Sequence, residues 1–99
     1  MPQFALICRD KPGGLPLRQQ TRERHLYYIK ENSAAVLLAG PLLNEKGEPI
    51  GSLLVIEAED AAKAKDFAKS DPYAVAGLFE DVEIRPYQVV TGALAPKPA

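Results

Sequence analysis

Apolar runs punctuated by Pro, Gly and charged clusters divide the chain into strands and helices in turn. Residues Gln3 to Arg9 (QFALICR) form a short apolar run stopped by Asp10-Lys11-Pro12-Gly13-Gly14, the pattern of a strand running into a loop. Its apolar residues fall on both faces, which suits a strand covered on both sides. From Pro16 to Ser33 the chain is dense in Arg, Gln, Glu and Leu. Pro16 suits a first helical turn, where its missing N–H would be unpaired anyway. The spacing predicts a helix over 16–33 with Leu26 and Ile29 on or near one stripe, Arg22 one turn earlier, and Tyr27 and Tyr28 on the flanks.

Ala34 to Leu43 (AAVLLAGPLL) reads as a second strand with a break at Gly40-Pro41. Proline cannot donate to a sheet ladder, so Pro41 implies an edge or a bulge. A polar turn, Asn44 to Pro49, leads into a third strand, Ile50 to Glu57, which makes a hairpin with the second. Asp60 is a natural N-cap for an alanine-rich helix through Lys69, with Ala61, Ala64, Phe67 and Ala68 on one stripe. Pro72 ends or restarts that helix, because the residue before proline is pushed out of the α region. A short helix over Pro72 to Leu78 follows, then a last strand over Phe79 to Val90. There Val82, Ile84, Pro86 and Gln88 alternate with Glu83, Arg85, Tyr87 and Val89.

The order strand, helix, strand, strand, helix, strand is the α+β, ferredoxin-like βαββαβ arrangement: a four-stranded antiparallel sheet with both helices on one face. The opposite face, if apolar, needs a cover. A homodimer packed sheet to sheet is the economical solution. Residues 1–91 are expected to form one domain, and Gly92 to Ala99, with Pro96 and Pro98, a flexible or loosely docked tail.

The 99 residues fit one small domain, which buries about 60–68% of the surface its unfolded chain exposes. Twelve basic against 13 acidic side chains give a formal charge of -1, a poor match for nucleic acid, which needs a basic face to displace counterions. No apolar run approaches the roughly 20 residues of a membrane helix. Asp10, Lys11 and Pro12 interrupt any secretion-signal pattern, and the single cysteine, Cys8, cannot form an internal disulfide. The expectation is therefore a cytoplasmic protein in which Cys8 is an inert buried thiol. One His, one Cys and dispersed carboxylates offer no zinc spacing, and Gly13-Gly14 lacks the Lys-Ser/Thr of a phosphate loop. No metal or other cofactor is expected.

The chemistry-bearing candidates are few. His25 is the only histidine, and an imidazole works as acid or base near neutrality. Asp71 would orient it; equally, Asp71 before Pro72 is a helix cap. A capping carboxylate can still accept from an imidazole. Asp10 stands at a strand end beside a Gly-rich turn, as pocket residue or Asx-turn former. Ser52 points either into the same cavity or to solvent. Tyr73 supplies a phenolic O–H to a substrate or a ring to the core. Gly40-Pro41 brings backbone near a ligand, or simply kinks its strand.

Arg22-x-x-His25-Leu26, Ala39-Gly40-Pro41 and Asp71-Pro72-Tyr73-x-x-x-Gly77-Leu78-Phe79 resemble, in order and spacing, the YciI-like (YCII-related) proteins. The strand running into Asp10-Lys11-Pro12-Gly13 fits as well, so the resemblance spans residues 3–90. It implies a dimeric α+β barrel of ferredoxin-like protomers, related in architecture to muconolactone isomerase. It also implies a pocket with a catalytic histidine–aspartate dyad, here His25 and Asp71. Some members resemble enzymes that remove hydrogen chloride from chlorinated hydroxy-aromatics. The connection from Asn44 to Pro49 is short, so no large lid is expected there.

The resulting expectation is a small cofactor-independent enzyme that isomerises, or eliminates from, a small, hydroxy-aromatic type of substrate. His25 would be its acid or base and Asp71 its orienting partner. Arg9 or Arg22 would anchor an anionic group, and Asp10, Gly40, Pro41, Ser52 and Tyr73 would complete the binding surface. The chain would act as a homodimer or a higher assembly, without nucleic acid or membrane. The alternative is a non-catalytic domain that binds a small molecule or serves assembly, with His25 only a donor.

Overall fold

A computed structural model describes residues 1–95 and carries seven elements in chain order. These are β1 (Gln3–Asp10), α1 (Leu15–Glu31), β2 (Val36–Leu43), β3 (Pro49–Glu57), α2 (Ala61–Ser70), α3 (Pro72–Val75) and β4 (Phe79–Tyr87). The strands form one antiparallel sheet in the order β2-β3-β1-β4. This is the ferredoxin-like α+β arrangement. None of the helices is long and apolar enough to cross a membrane, among the described residues.

Register sorts the side chains to two faces. Leu6 stands opposite Leu54 on one side and Ile84 on the other, Phe4 opposite Ile56 and Pro86, and Cys8 opposite Ser52 and Val82. Because side chains alternate along a strand, these residues share the face that the helices cover. Phe4, Leu6, Cys8, Leu54, Ile56 and Ala58 join Ala64 and Ala68 of α2 in the core, with Ile29, Val36, Phe67, Phe79 and Ile84 packed around them. Burial drives the Cys8 thiol up to about 12, with the Asp71 charge a secondary cause, so it stays protonated.

The other face is divided. Toward β3 and β2 it offers Ala5, Ile7, Leu53, Val55 and Leu38, while on β4 it offers Asp81, Glu83 and Arg85. Arg9 lies on this face, donating to Asp81 at 2.9 Å and Glu83 at 3.4 Å. The expectation of strands apolar on both faces thus holds for the inner pair but not for β4. Residues 92–95 form a turn closed by Ala95 N–H on the Gly92 carbonyl, and Leu94 borders a groove with Ala5, Leu38, Leu53 and Val55. The remainder of the expected tail, residues 96–99, lies outside the described residues.

Element ends move for local reasons. The long helix ends at Glu31, two residues early, where Asn32 leaves helical geometry (φ -109°, ψ 23°) and its side-chain amide donates to the Tyr28 carbonyl. The short helix stops at Val75 rather than Leu78. Gly77 takes φ +80°, its N–H bonds the Ala74 carbonyl, and the Leu78 N–H bonds the Tyr73 carbonyl. That pair of reversed bonds is a Schellman cap, which needs a residue tolerant of the left-handed region. Pro41 falls on the edge strand β2, where its missing N–H costs no ladder bond.

The face of α1 differs from expectation. Leu26 is 45% exposed, and the residues α1 buries are Arg18, Thr21 and His25. Their spacing puts them on one stripe facing inward. A helix that turns polar groups toward the interior must satisfy them there, and this requirement builds the site.

Candidate active site

Two local structures fix the histidine's partner. Asp71 is extended (φ -60°, ψ 129°) ahead of Pro72, and its Oδ1 accepts the Tyr73 N–H at 2.9 Å, capping α3. The Schellman cap holds the other end of α3. This short, doubly fastened helix presents the carboxylate and the Tyr73 ring to α1. At the start of α1, Gly14 allows close approach: a Cβ there would stand 2.8 Å from Leu78 Cδ1 and 2.9 Å from the Lys11 carbonyl. The first turn of α1 therefore docks directly on Leu78, the residue that closes the cap after α3.

His25 Nδ1 lies 2.9 Å from Asp71 Oδ1 and 3.1 Å from Oδ2, and both side chains are buried. An ionised carboxylate only accepts, so in the neutral imidazole Nδ1 carries the proton and Nε2 is the basic nitrogen. The Tyr73 ring stacks on the imidazole, centroids 4.1 Å apart and planes within 16°. The Arg18 guanidinium lies 4.5 Å from the same ring centroid. One face of a ring takes one stacked partner, so Tyr73 is inserted between Arg18 and His25, which stand about 10 Å apart along α1.

Arg18 is held from behind. Its Nε donates to Asp10 Oδ2 at 2.7 Å and its Nη2 to Asp10 Oδ1 at 2.8 Å, a bidentate pair, while Nη2 also donates to Ser52 Oγ at 3.0 Å. Burial alone would favour the neutral guanidine, but the Asp10 hydrogen bonds and charge outweigh it and hold Arg18 in its cationic form. Burial also pushes the Tyr73 phenol above its ordinary value, although the charges of Arg18 and Arg22 pull the other way. Tyr73 is therefore a neutral O–H donor across the physiological range.

These groups border a cavity of about 450 Å³ between α1 and the edge of the sheet. Leu15, Leu26 and Ile29 of α1 with Ala39, Pro41 and Pro49 form its apolar wall, while Arg18, Gln19, Arg22, His25, Ser52 and Tyr73 supply polar groups. A mostly apolar pocket with a few convergent polar groups is the usual form of a small-molecule site. Arg22 is exposed and pairs with no carboxylate among the described residues.

The sequence model of the YCII-related domain matches residues 2–88, nearly the whole described chain. The chain belongs to the YCII-related domain family. A relative from Haemophilus influenzae, an uncharacterized protein, is 32% identical over 95 residues, covering 88% of this chain and 97% of that one. Protein YciI of Escherichia coli is 30% identical over the same length and coverage. Among solved structures, the 5-chloro-2-hydroxyhydroquinone dehydrochlorinase TftG from Burkholderia phenoliruptrix, in complex with 2,5-dihydroxybenzoquinone, superposes with a TM-score of 0.80 at 28% identity. The match covers 87% of this chain and 93% of TftG.

Of the residues this YCII-related chain offers from its sequence, the fold gathers most at one place. His25, Arg22, Gly40, Pro41, Ser52 and Tyr73 line the cavity, with Asp71 behind His25 and Asp10 behind Arg18. Asp10 and Ser52 meet Arg18 before they could meet a ligand. Arg9 is not brought to the site: it lies on the opposite sheet face, engaged with Asp81 and Glu83, so an anchoring role for it is withdrawn. Arg18, which is not among the candidates drawn from the sequence, is the cavity's buried cation. A signal was present in the polar stripe Arg18-x-x-Thr21-x-x-x-His25 at helical spacing. Among the described residues, no three His, Cys, Asp or Glu side chains converge as a metal cluster would require.

Proposed function

We propose that the protein catalyses cofactor-independent proton transfer, as isomerisation or elimination, on a small cyclic hydroxy or keto compound. The observation that carries this reading is the buried His25–Asp71 pair opening onto the cavity beside Tyr73. Asp71 orients the imidazole and stabilises its protonated form, so His25 Nε2 takes a proton from substrate and returns one to product. The apolar walls suit a flat ring and exclude water from the transfer. Arg22 at the mouth suits an anionic substituent. The dehydrochlorinase TftG, which shares the fold at 28% identity, acts on a chlorinated hydroxyhydroquinone, and this favours a hydroxylated ring as substrate class here.

The test is turnover of a panel of substituted hydroxy-aromatic, quinone and lactone substrates by wild type, His25→Ala and Asp71→Asn. General acid–base catalysis contributes about 10²- to 10⁴-fold, so each variant should lose at least about 100-fold in kcat. Unchanged turnover in both variants removes the dyad from the mechanism. A purely ligand-binding role would instead leave the panel untouched while His25→Ala weakens binding.

The functional unit in this reading is a homodimer. Ala5, Ile7 and Leu53, each half-buried, form an apolar centre on this sheet face around the buried Val55, bordered by the Arg9–Asp81–Glu83 cluster. Such a centre with a charged rim is the anatomy of a protein interface. Light scattering at micromolar concentration should give twice the chain mass; a monomer would contradict the assembly without touching the dyad.

A further inference from the structure

We infer that Arg18 and Tyr73 together form an oxyanion site, so that the substrate's carbonyl or phenolic oxygen, and not a separate carboxylate, is the group that Arg18 recognises. This deepens the proton-transfer reading above and rests on it for the reaction, though not for the binding.

Among the described residues, Thr21 Oγ1 is the one buried side-chain nitrogen or oxygen that lacks a hydrogen-bond partner. Arg18 Nη1 donates to no carboxylate or carbonyl, the Tyr73 O–H has no acceptor of its own although the Arg18 guanidinium interacts with the Tyr73 oxygen, and His25 Nε2 has no donor, yet none of these atoms is sealed from solvent. All three residues line the same cavity. The unsatisfied hydrogen-bonding capacity of the buried stack is therefore turned toward whatever fills that cavity. Two donors and one base are what an enolisation needs.

The ion pair explains the geometry. Asp10 occupies the Nε–Nη2 edge of Arg18, and Ser52 shares Nη2, which leaves the Nη1 edge for a ligand. Asp10 is a positioning residue that fixes the plane of the guanidinium from outside the cavity, and Ser52 helps to hold that plane from the cavity wall. Preorganised donors of this kind need no reorientation as charge develops.

The electrons balance without a co-reactant. His25 Nε2 takes a proton from carbon adjacent to a carbonyl. The C–H pair becomes a C=C bond, and the carbonyl π pair moves to oxygen, where Arg18 and Tyr73 receive the negative charge. On collapse, the C=O bond re-forms. In a substrate with a conjugated C=C, the displaced pair shifts that double bond and its far carbon takes the proton from the imidazolium, which is isomerisation. With a halide on the next carbon, the pair forms a new C=C as the halide leaves, which is elimination, and the imidazolium returns its proton to water.

The probe is 4-nitrophenol, whose neutral and phenolate forms differ in visible absorbance, titrated with wild-type protein across its ionisation. The bound probe should ionise about one pH unit lower than free probe, a tenfold preference for phenolate. His25→Ala should keep that preference. Tyr73→Phe, which retains the stacked ring, should lose about half of the shift. Replacing Arg18 with its carboxylate, Arg18→Met with Asp10→Asn, should abolish it. If the double variant does not fold, Tyr73→Phe decides alone. A full shift retained in the variants overturns the inference and assigns the charge preference to Arg22. Absence of saturable binding by wild type also overturns it. Loss of turnover in His25→Ala with an intact probe shift supports both claims; an intact turnover with an intact shift removes the dyad and leaves the oxyanion site.

Discussion

The two long helices lie on the same side of one sheet and do opposite work. Helix α2 buries Ala64 and Ala68, small apolar residues that let it sit close over Phe4, Leu6 and Ile56. It begins on a conventional cap, with Asp60 Oδ1 accepting the Lys63 N–H at 2.9 Å. Helix α1 starts on Gly14 with no side-chain cap and buries an arginine, a threonine and a histidine. A polar inward face gains little from leaving water and needs partners for every group. Asp10, Ser52 and Asp71 supply them for two of the three. The lesson is that α2 stabilises the fold while α1 uses the fold's stability to hold a site.

Breaking the α2 side should have the largest effect on stability. Ala64→Asp would bury an unpaired carboxylate at a position with no exposure, and should cost about 3 kcal/mol or more, measured by chemical denaturation. The unfolding midpoint should move to much lower denaturant than in the wild type. A variant that folds normally would mean that α2 does not seal the core.

Alkaline pH attacks the same core more gradually. The folded Cys8 thiol titrates at about 12 against 9.0 for a free thiol, so the folded state keeps a proton that the unfolded state releases. Stability from this source is complete below pH 9.0 and is lost as pH rises toward about 12. The raised Tyr73 phenol acts in the same direction. The denaturation midpoint should fall steadily above pH 9.0, and Cys8→Ala should flatten part of that fall. A midpoint constant to pH 11 would contradict the burial argument.

The smallest effect sharpens the comparison from the α1 side. Thr21, between Arg18 and His25 on the inward stripe, has a hydroxyl without a partner. Thr21→Val keeps the shape and removes the unpaired group, so it should stabilise the protein by about 1 kcal/mol. Thermal denaturation of the variant checks this. A destabilised Val variant would show that the hydroxyl is engaged in solution.

How much was legible follows the same division. The α2 stripe could be read because alanines at helical spacing report burial through their own composition, although Ala61 proved exposed. The Gly77 and Pro72 signals marked α3 because they act through local backbone geometry. The inward face of α1 could be read from apolar spacing only in part: Ile29 packs against the core, but Leu26 is exposed and the buried stripe is polar. Arg18 is buried only because Asp10 and Ser52, eight and 34 residues away, come to meet it. Pairings at such separations are products of the folded sheet. For the same reason Asp71 was recognisable as a cap, while its contact with His25, 46 residues distant, needed the family resemblance to suggest it.

The central claim is that His25 holds its proton on Nδ1 against Asp71 and keeps Nε2 as the free base. Because the chain has a single histidine, one long-range proton–nitrogen correlation spectrum of ¹⁵N-labelled protein reads its tautomer without ambiguity. At a pH where the imidazole is neutral, the account predicts a protonated-type shift at Nδ1 and an unprotonated-type shift at Nε2, with the pattern averaging in Asp71→Asn. A proton found on Nε2 in the wild-type protein would contradict it.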